Sequence, residues 1–308
     1  MALLNQARKQ PRHVLLIDDD RLQYRITLAH FAAFQGDAYE LHWAETYEAG
    51  IAKLLSGEYA ACLLDYQLGE RDGLQLIREA LARECRTPIV FLTAETADQI
   101  DIAAMNAGAL DYLVKVEITP RLLERSLRYA IKLADTLEAL RRLATRDELT
   151  GLLNRREFER ILQDEIERAL RFGHALTLIL IDVDRFKAIN DAHGHPVGDA
   201  VLREVAQRVT SQVRSVDRVA RIGGEEFGLI LVQPDRTMGF EIAQQVCAAV
   251  RRDAVGVDDA RTLAITVSAG VASLRGGRMT PAALVAAADK ALYAAKAAGR
   301  DRVIAADE

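Results

Sequence analysis

Arg221-Ile222-Gly223-Gly224-Glu225-Glu226-Phe227 separates two apolar runs, and its reading decides the fold of the C-terminal half. Two glycines between apolar strands predict a hairpin turn, which accounts for Gly223 and Gly224 completely. The adjacent Glu225 and Glu226 ask for more. Glycine lets backbone come close to a phosphate, and carboxylates beside it can hold magnesium. Working outward, an apolar strand over 177–181 precedes a helix over 200–211, and a helix over 238–250 follows the hairpin. A strand over 264–272 then leads to a helix over 281–298. The order β-α-β-β-α-β predicts an antiparallel sheet with helices on one face, the ferredoxin-like form of an α+β domain. The first of these strands ends in Ile181-Asp182-Val183-Asp184, so Asp182 and Glu225 can share an ion if the strands that carry them are neighbours.

The N-terminal half reads differently. Apolar runs at 14–17, 41–43, 61–64, 89–92 and 112–114 alternate with helical patterns, which predicts a five-stranded parallel sheet covered on both faces, an α/β flavodoxin-like domain. Functional groups of such sheets gather at the carboxyl ends of the strands. There the sequence places Asp18 and Asp19 after the first strand, Asp65 after the third, Thr93 after the fourth and Lys115 after the fifth. Three converging carboxylates repel one another, so a hard divalent cation is their natural complement, and magnesium fits best. A carboxylate beside such an ion can accept a phosphoryl group.

Between the halves, residues 119–146 carry no glycine, and their one proline, Pro120, suits a first helical turn. Ala130, Leu133, Leu137, Leu140 and Ala144 recur at spacings of three and four, the pattern of a coiled-coil seam; a helix packed on its own domain is the alternative. The expected organisation is a tail over 1–11, an α/β domain over 12–134, a helical linker over 135–146 and an α+β domain over 147–308. Net charge is −5 over 308 residues, which argues against bulk attraction to nucleic acid or an anionic membrane. Cys62, Cys85 and Cys247 are far apart and read as free thiols, and no signal-peptide or membrane-length apolar run is present, so a cytoplasmic protein is expected.

Residues 12–134 resemble the receiver domains of response regulators. Asp65 is followed eight residues later by Gly73, and the fourth strand reads Pro88-Ile-Val-Phe-Leu-Thr93. The resemblance implies that Asp65 is the phosphoacceptor, Asp18 and Asp19 the metal-side acids, Thr93 and Lys115 the sensors of the phosphoryl oxygens, and Tyr112 the aromatic switch. It also implies a histidine kinase or phosphotransfer partner. One departure stands out: Val116 follows Lys115 where the family usually has proline.

From residue 147 onward the chain resembles the diguanylate cyclase, or GGDEF, family. The resemblance is carried by Asp147-Glu-Leu-Thr-Gly-Leu-Leu-Asn-Arg-Arg156, Asp182-Val-Asp-Arg-Phe-Lys-Ala-Ile-Asn-Asp191, Gly194-His195 and Gly198-Asp199. Gly223-Gly-Glu-Glu-Phe227 and Asp289-Lys-Ala-Leu-Tyr-Ala-Ala-Lys-Ala-Ala-Gly-Arg300 complete it. It implies that two GTP molecules are condensed to cyclic di-GMP. Asp182, the carbonyl of Val183 and Glu225 would bind magnesium or manganese, and Glu226 would assist deprotonation of the 3′-hydroxyl. Asn190 and Asp199 would read guanine; Phe186 backbone, Lys187, Lys296 and Arg300 would hold phosphates over Gly223 and Gly224, and His195 would take a substrate-side place. Because each domain holds one GTP, a homodimer or higher oligomer is implied. Arg214-Ser-Val-Asp217 matches the family's inhibitory product site, against a local helix-end salt bridge as the alternative. Gln244 and Gln245 stand where a second arm of that site often carries a basic residue. A silent nucleotide-binding effector, and a cyclase of altered base choice, are the competing readings.

Overall fold

The computed structural model describes residues 11–94, 98–234, 236–256, 262–274 and 280–306; the expected tail lies outside these apart from residue 11. The chain divides after Leu140 into two compact units.

The first unit runs β1 (Arg12–Ile17), α1 (Arg21–Ala32), β2 (Tyr39–Ala44), α2 (Tyr47–Leu54), β3 (Ala61–Asp65), a small hairpin of β4 (Gln67–Leu68) and β5 (Arg71–Asp72), α3 (Gly73–Ala82), β6 (Ile89–Thr93), α4 (Asp98–Ala107), β7 (Asp111–Val114) and α5 (Pro120–Thr145). Its five main strands pair in parallel in the order β2-β1-β3-β6-β7. The continuous apolar runs follow from that topology, because both faces are covered. Leu15, Ile17, Cys62, Leu64 and Phe91 face one core, and Val14, Leu16, Ala61, Leu63 and Val90 face the other. Carboxyl ends are thereby brought together at one edge, where Asp18, Asp65, Thr93 and Lys115 stand.

The stalk reading needs one correction. Ala130 is buried in the core of the first unit together with Leu123, Leu127 and Ile131, so it belongs to that unit's packing rather than to a seam. Leu133, Leu137, Leu140 and Ala144 are exposed on α5, and Leu143 joins them.

The second unit continues with α6 (Arg155–Phe172), β8 (Leu176–Val183), α7 (Phe186–His193), α8 (His195–Ser211), β9 (Arg218–Arg221), β10 (Glu226–Val232), α9 (Arg236–Arg252), a short hairpin of β11 (Val255–Gly256) and β12 (Thr262–Leu263), β13 (Val267–Ser273), α10 (Pro281–Ala297) and β14 (Val303–Ala305). The sheet order is β14-β13-β8-β10-β9, antiparallel except for the pair β13–β14. Its β-α-β-β-α-β core is as expected, but helices cover both faces rather than one. Ile179, Ile181 and Val183 of β8 pack with α8 and α9; Leu176, Leu178 and Leu180 pack with α6 and α10. The physical reason lies in β8, whose eight residues are all buried, so neither face can be left to water. No helix among the described residues is long and apolar enough to cross a membrane.

Candidate active site

Three strands of the second unit meet at one end of its sheet. In the β8–β10 ladder Glu226 stands opposite Asp182, and the N–H of Val183 donates to the carbonyl of Glu225 at 3.1 Å. The condition that Asp182 and Glu225 lie on neighbouring strands is therefore met. Asp182 is buried and half-buried Lys296 from α10 reaches its Oδ2 at 2.7 Å. Burial raises the Asp182 carboxyl above the usual range against the pull of Lys296, and burial together with the Asp182 charge raises that of Glu225. A buried acid whose charge raises its neighbour, with the Lys296 ammonium acting on both, makes a site that favours added positive charge. The donor set is oxygen only, which suits magnesium or manganese.

The turn itself is braced by a residue that the sequence reading quoted without a role. Arg221 donates to the Gly224 carbonyl at 2.8 and 3.2 Å and to both carboxylate oxygens of Asp147 at 3.1 and 3.2 Å. Asp147 also accepts from the N–H and hydroxyl of Thr150; burial opposes, but these donors and Arg221 hold its carboxyl below the ordinary range. Thus Asp147-Glu-Leu-Thr is a clip for the hairpin. A Cβ at Gly223 would displace the exposed Glu226 carboxylate, whereas the space before Gly224 is open.

Asp184 turns out to be scaffold. Its oxygens accept from Thr266 and Ser268 hydroxyls at 2.7 Å each and from the Asp301 N–H at 3.0 Å, so most of its acceptor capacity is spent within the fold. Beyond β8, Phe186 begins α7 after Arg185, whose left-handed φ of 58° turns the chain. Asn190 and Asp199 lie half-buried on α7 and α8, and Asn190 Oδ1 is a buried acceptor without a hydrogen-bond partner. Gly198 allows this, since a Cβ there would strike that oxygen. A buried amide oxygen left without a donor is a place for a ligand's N–H. Lys187 on α7, His195 at the start of α8 and Arg300 after α10 are exposed.

Comparison with known proteins places these features. The family model described as "Diguanylate cyclase, GGDEF domain" matches residues 144–302, more than half of the chain. The chain belongs to the GGDEF family. The model for the response regulator receiver domain matches residues 14–127. Response regulator PleD of Caulobacter vibrioides is 41% identical over 180 residues, covering 58% of this chain and 39% of that protein. Diguanylate cyclase DosC of Escherichia coli is 40% identical over 157 residues, covering 51% and 34%. The chain thus spans well under half the length of these relatives. Among solved structures, the coiled coil and GGDEF domain of DgcB from Caulobacter crescentus in complex with c-di-GMP superposes with a TM-score of 0.56 at 33% identity, covering 60% of this chain and 98% of that one. Diguanylate cyclase SiaD in complex with its activator SiaC from Pseudomonas aeruginosa gives 0.52 at 39% identity, covering 60% and 71%.

Elsewhere in the GGDEF unit, Arg214 and Asp217 engage one another. Arg214 donates from its backbone N–H at 3.0 Å and from Nε and Nη2 at 3.2 Å each to the buried Asp217 carboxylate, which also accepts from Val232 N–H at 3.1 Å. Arg214 Nη2 reaches the Val232 carbonyl at 3.0 Å. The pair fastens the end of β10, as the local salt-bridge reading has it, while the Arg214 side chain remains more than half exposed.

In the receiver unit the acids converge as expected. Carboxylate oxygens of Asp18, Asp19 and Asp65 lie within 4.8 Å of one another, so the trio suits a hard divalent ion. Asp18 and Asp65 are buried and share Lys115 at 3.0 and 2.8 Å; Asp19 is exposed and accepts from Gly69 N–H. Asp20, the next residue, caps α1 through Leu22 N–H, a role the run of three acids concealed. Thr93 is buried, Tyr112 is exposed, and Lys115–Glu117 form a single 3₁₀ turn with Val116 on the surface. Burial pushes Asp65 up to about 6, with Lys115 opposing and Asp18 adding to the rise. A carboxyl raised in the folded state binds its proton more tightly there than when unfolded, so stability attributable to Asp65 falls as pH rises from about 4 to about 6 and is level above. With divalent ions chelated, Asp65→Asn should therefore stabilise the receiver unit above pH 6 by on the order of 1 kcal/mol, seen as a higher thermal midpoint, and the gain should shrink toward pH 4. Melting curves across that range check it; a variant less stable than wild type at pH 7 contradicts it.

Proposed function

We propose that this chain is a phosphorylation-regulated diguanylate cyclase that condenses two GTP into cyclic di-GMP and two pyrophosphates. The observation that carries the reading is the β8–β10 ladder, which sets Glu226 opposite Asp182 and Glu225 against Val183 at the glycine turn, together with the buried, unpartnered Asn190 oxygen on α7. Asp182, the Val183 carbonyl and Glu225 would hold the magnesium ions. When bound, these ions would neutralise the triphosphate and acidify the 3′-hydroxyl. Exposed Glu226, opposite Asp182, would take that proton, and Lys187, Lys296, Arg300 and the N–H groups at Phe186 would grip phosphate oxygens. Lys296 would exchange its Asp182 contact for phosphate. Asp199 and Asn190 would read guanine through its N1–H and N2–H₂, donors arranged as adenine's are not.

Two 3′–5′ bonds require two facing half-sites, so the active species is a homodimer or larger, joined through the exposed leucines of α5. Phosphoryl transfer to Asp65 from a histidine kinase or phosphotransfer protein would bias receiver pairing and so the approach of the half-sites. Product held at Arg214 and Asp217 would oppose that approach; exposed Arg214 can leave its partner to meet a phosphate, and c-di-GMP is present in the DgcB complex. Purified protein given GTP and magnesium, with and without beryllofluoride treatment, should yield cyclic di-GMP by mass spectrometry, and ATP should yield no cyclic product. GTP binding without any cyclic dinucleotide in either state would favour the silent effector.

A further inference from the structure

The receiver unit carries a second group of metal-ligand side chains at the opposite end of its sheet from Asp65. His13 opens β1, and Glu40 and His42 lie on the edge strand β2. The parallel register sets His13 beside Glu40 and Leu15 beside His42, so the alternating side chains of 13, 40 and 42 share one face. His13 Nε2 lies 3.7 Å from one Glu40 oxygen and His42 Nε2 3.5 Å from the other, and ligand atoms of all three fall within 4.8 Å of one another.

These separations are long for hydrogen bonds, which weaken beyond about 3.2 Å. Each is near the roughly 3.4 Å between neighbouring donors around a tetrahedral ion with bonds of about 2.0–2.1 Å. Since they run to different Glu40 oxygens, a turn of that carboxylate would present one oxygen to both nitrogens. His42 is held from behind: its Nδ1 is 3.2 Å from the hydroxyl of buried Tyr59. With Nδ1–H donating to Tyr59, the Nε2 lone pair faces Glu40, the arrangement by which a carbonyl or hydroxyl orients a metal-bound imidazole. The two imidazoles stack at 4.8 Å with planes 27° apart, and small turns about their last torsion converge both Nε2 atoms. Two neutral imidazoles and one carboxylate suit a borderline cation such as zinc, whereas Asp18, Asp19 and Asp65 offer oxygen only.

We propose that His13, Glu40 and His42 form a transition-metal site, zinc being the expected ion, with water completing the tetrahedron. Bound there, the ion clips edge strand β2 to β1 and stabilises the receiver unit by linkage.

The test uses the untagged, chelator-stripped full chain in millimolar magnesium, which occupies oxygen-only sites. Calorimetric titration with zinc chloride should show one zinc per chain, and zinc should raise the midpoint of the receiver transition. His13→Gln, His42→Gln and Glu40→Gln should each lose that equivalent and the rise, while His30→Gln keeps both. Cobalt should give visible bands of a tetrahedral nitrogen and oxygen site that fade in Glu40→Gln, whose exposed side chain leaves the fold intact. Unchanged zinc stoichiometry in the two β2 variants, or its loss in His193→Gln instead, would overturn the assignment.

Discussion

Glu225→Gln should lower cyclic di-GMP formation by about 10²- to 10³-fold, the loss found when one preorganised charged contact to a reacting centre is removed. The amide keeps the length and most of the volume of the side chain, and the backbone contact of Glu225 to Val183 N–H is untouched. What disappears is a carboxylate that burial and the Asp182 charge together raise, and with it the repulsion between the two acids. The same substitution therefore removes a repulsion, and the thermal midpoint of the GGDEF unit should hold or rise when divalent ions are chelated. The two readouts move in opposite directions, which separates a functional loss from an unfolded protein. Normal product formation by the variant would remove Glu225 from the ion site.

The receiver topology was legible because a parallel sheet buries both faces, and its strands then stand out as unbroken apolar runs. Its acid cluster followed from strand ends alone. The second unit was legible at its hairpin and motifs but not in full. The helix Arg155–Phe172 begins with Asn154 capping Glu157 N–H and carries Phe158, Leu162, Ile166 and Ala169 on one face, signals the sequence does hold. They overlapped a stretch read for its motif. The helix expected over 281–298 is present, but its place on the second face was not legible, because a βαββαβ order specifies strand sequence, not which face a later helix covers. Ala130 was assigned to a seam since spacing alone does not say where one helix stops packing on its own unit. Arg221 and Asp147 are far apart in sequence, and a clip between them leaves no periodic trace.

The remaining leucines of α5 carry the other large expectation. Leu133, Leu137 and Leu140 follow the buried Ala130 at spacings of three and four and are about half exposed, an apolar stripe that a lone helix would leave to water. If the stripe joins two chains, it turns a bimolecular meeting of half-sites into an intramolecular one, and effective concentration rather than any new contact supplies the gain. Replacing Leu137 and Leu140 together with Glu should weaken self-association and lower specific activity at high dilution by about 10²- to 10³-fold, within the range that tethering supplies. Glu is a good helix former, and both positions lie beyond the last buried residue of the receiver core, so the helix and the receiver fold should persist. Specific activity of the variant should then climb in proportion to protein concentration, since two chains must collide for each product, while wild type stays level over the same range. Sedimentation velocity on the same samples supplies the mass. Equal specific activity of both proteins at every dilution would mean that the half-sites meet without the stripe.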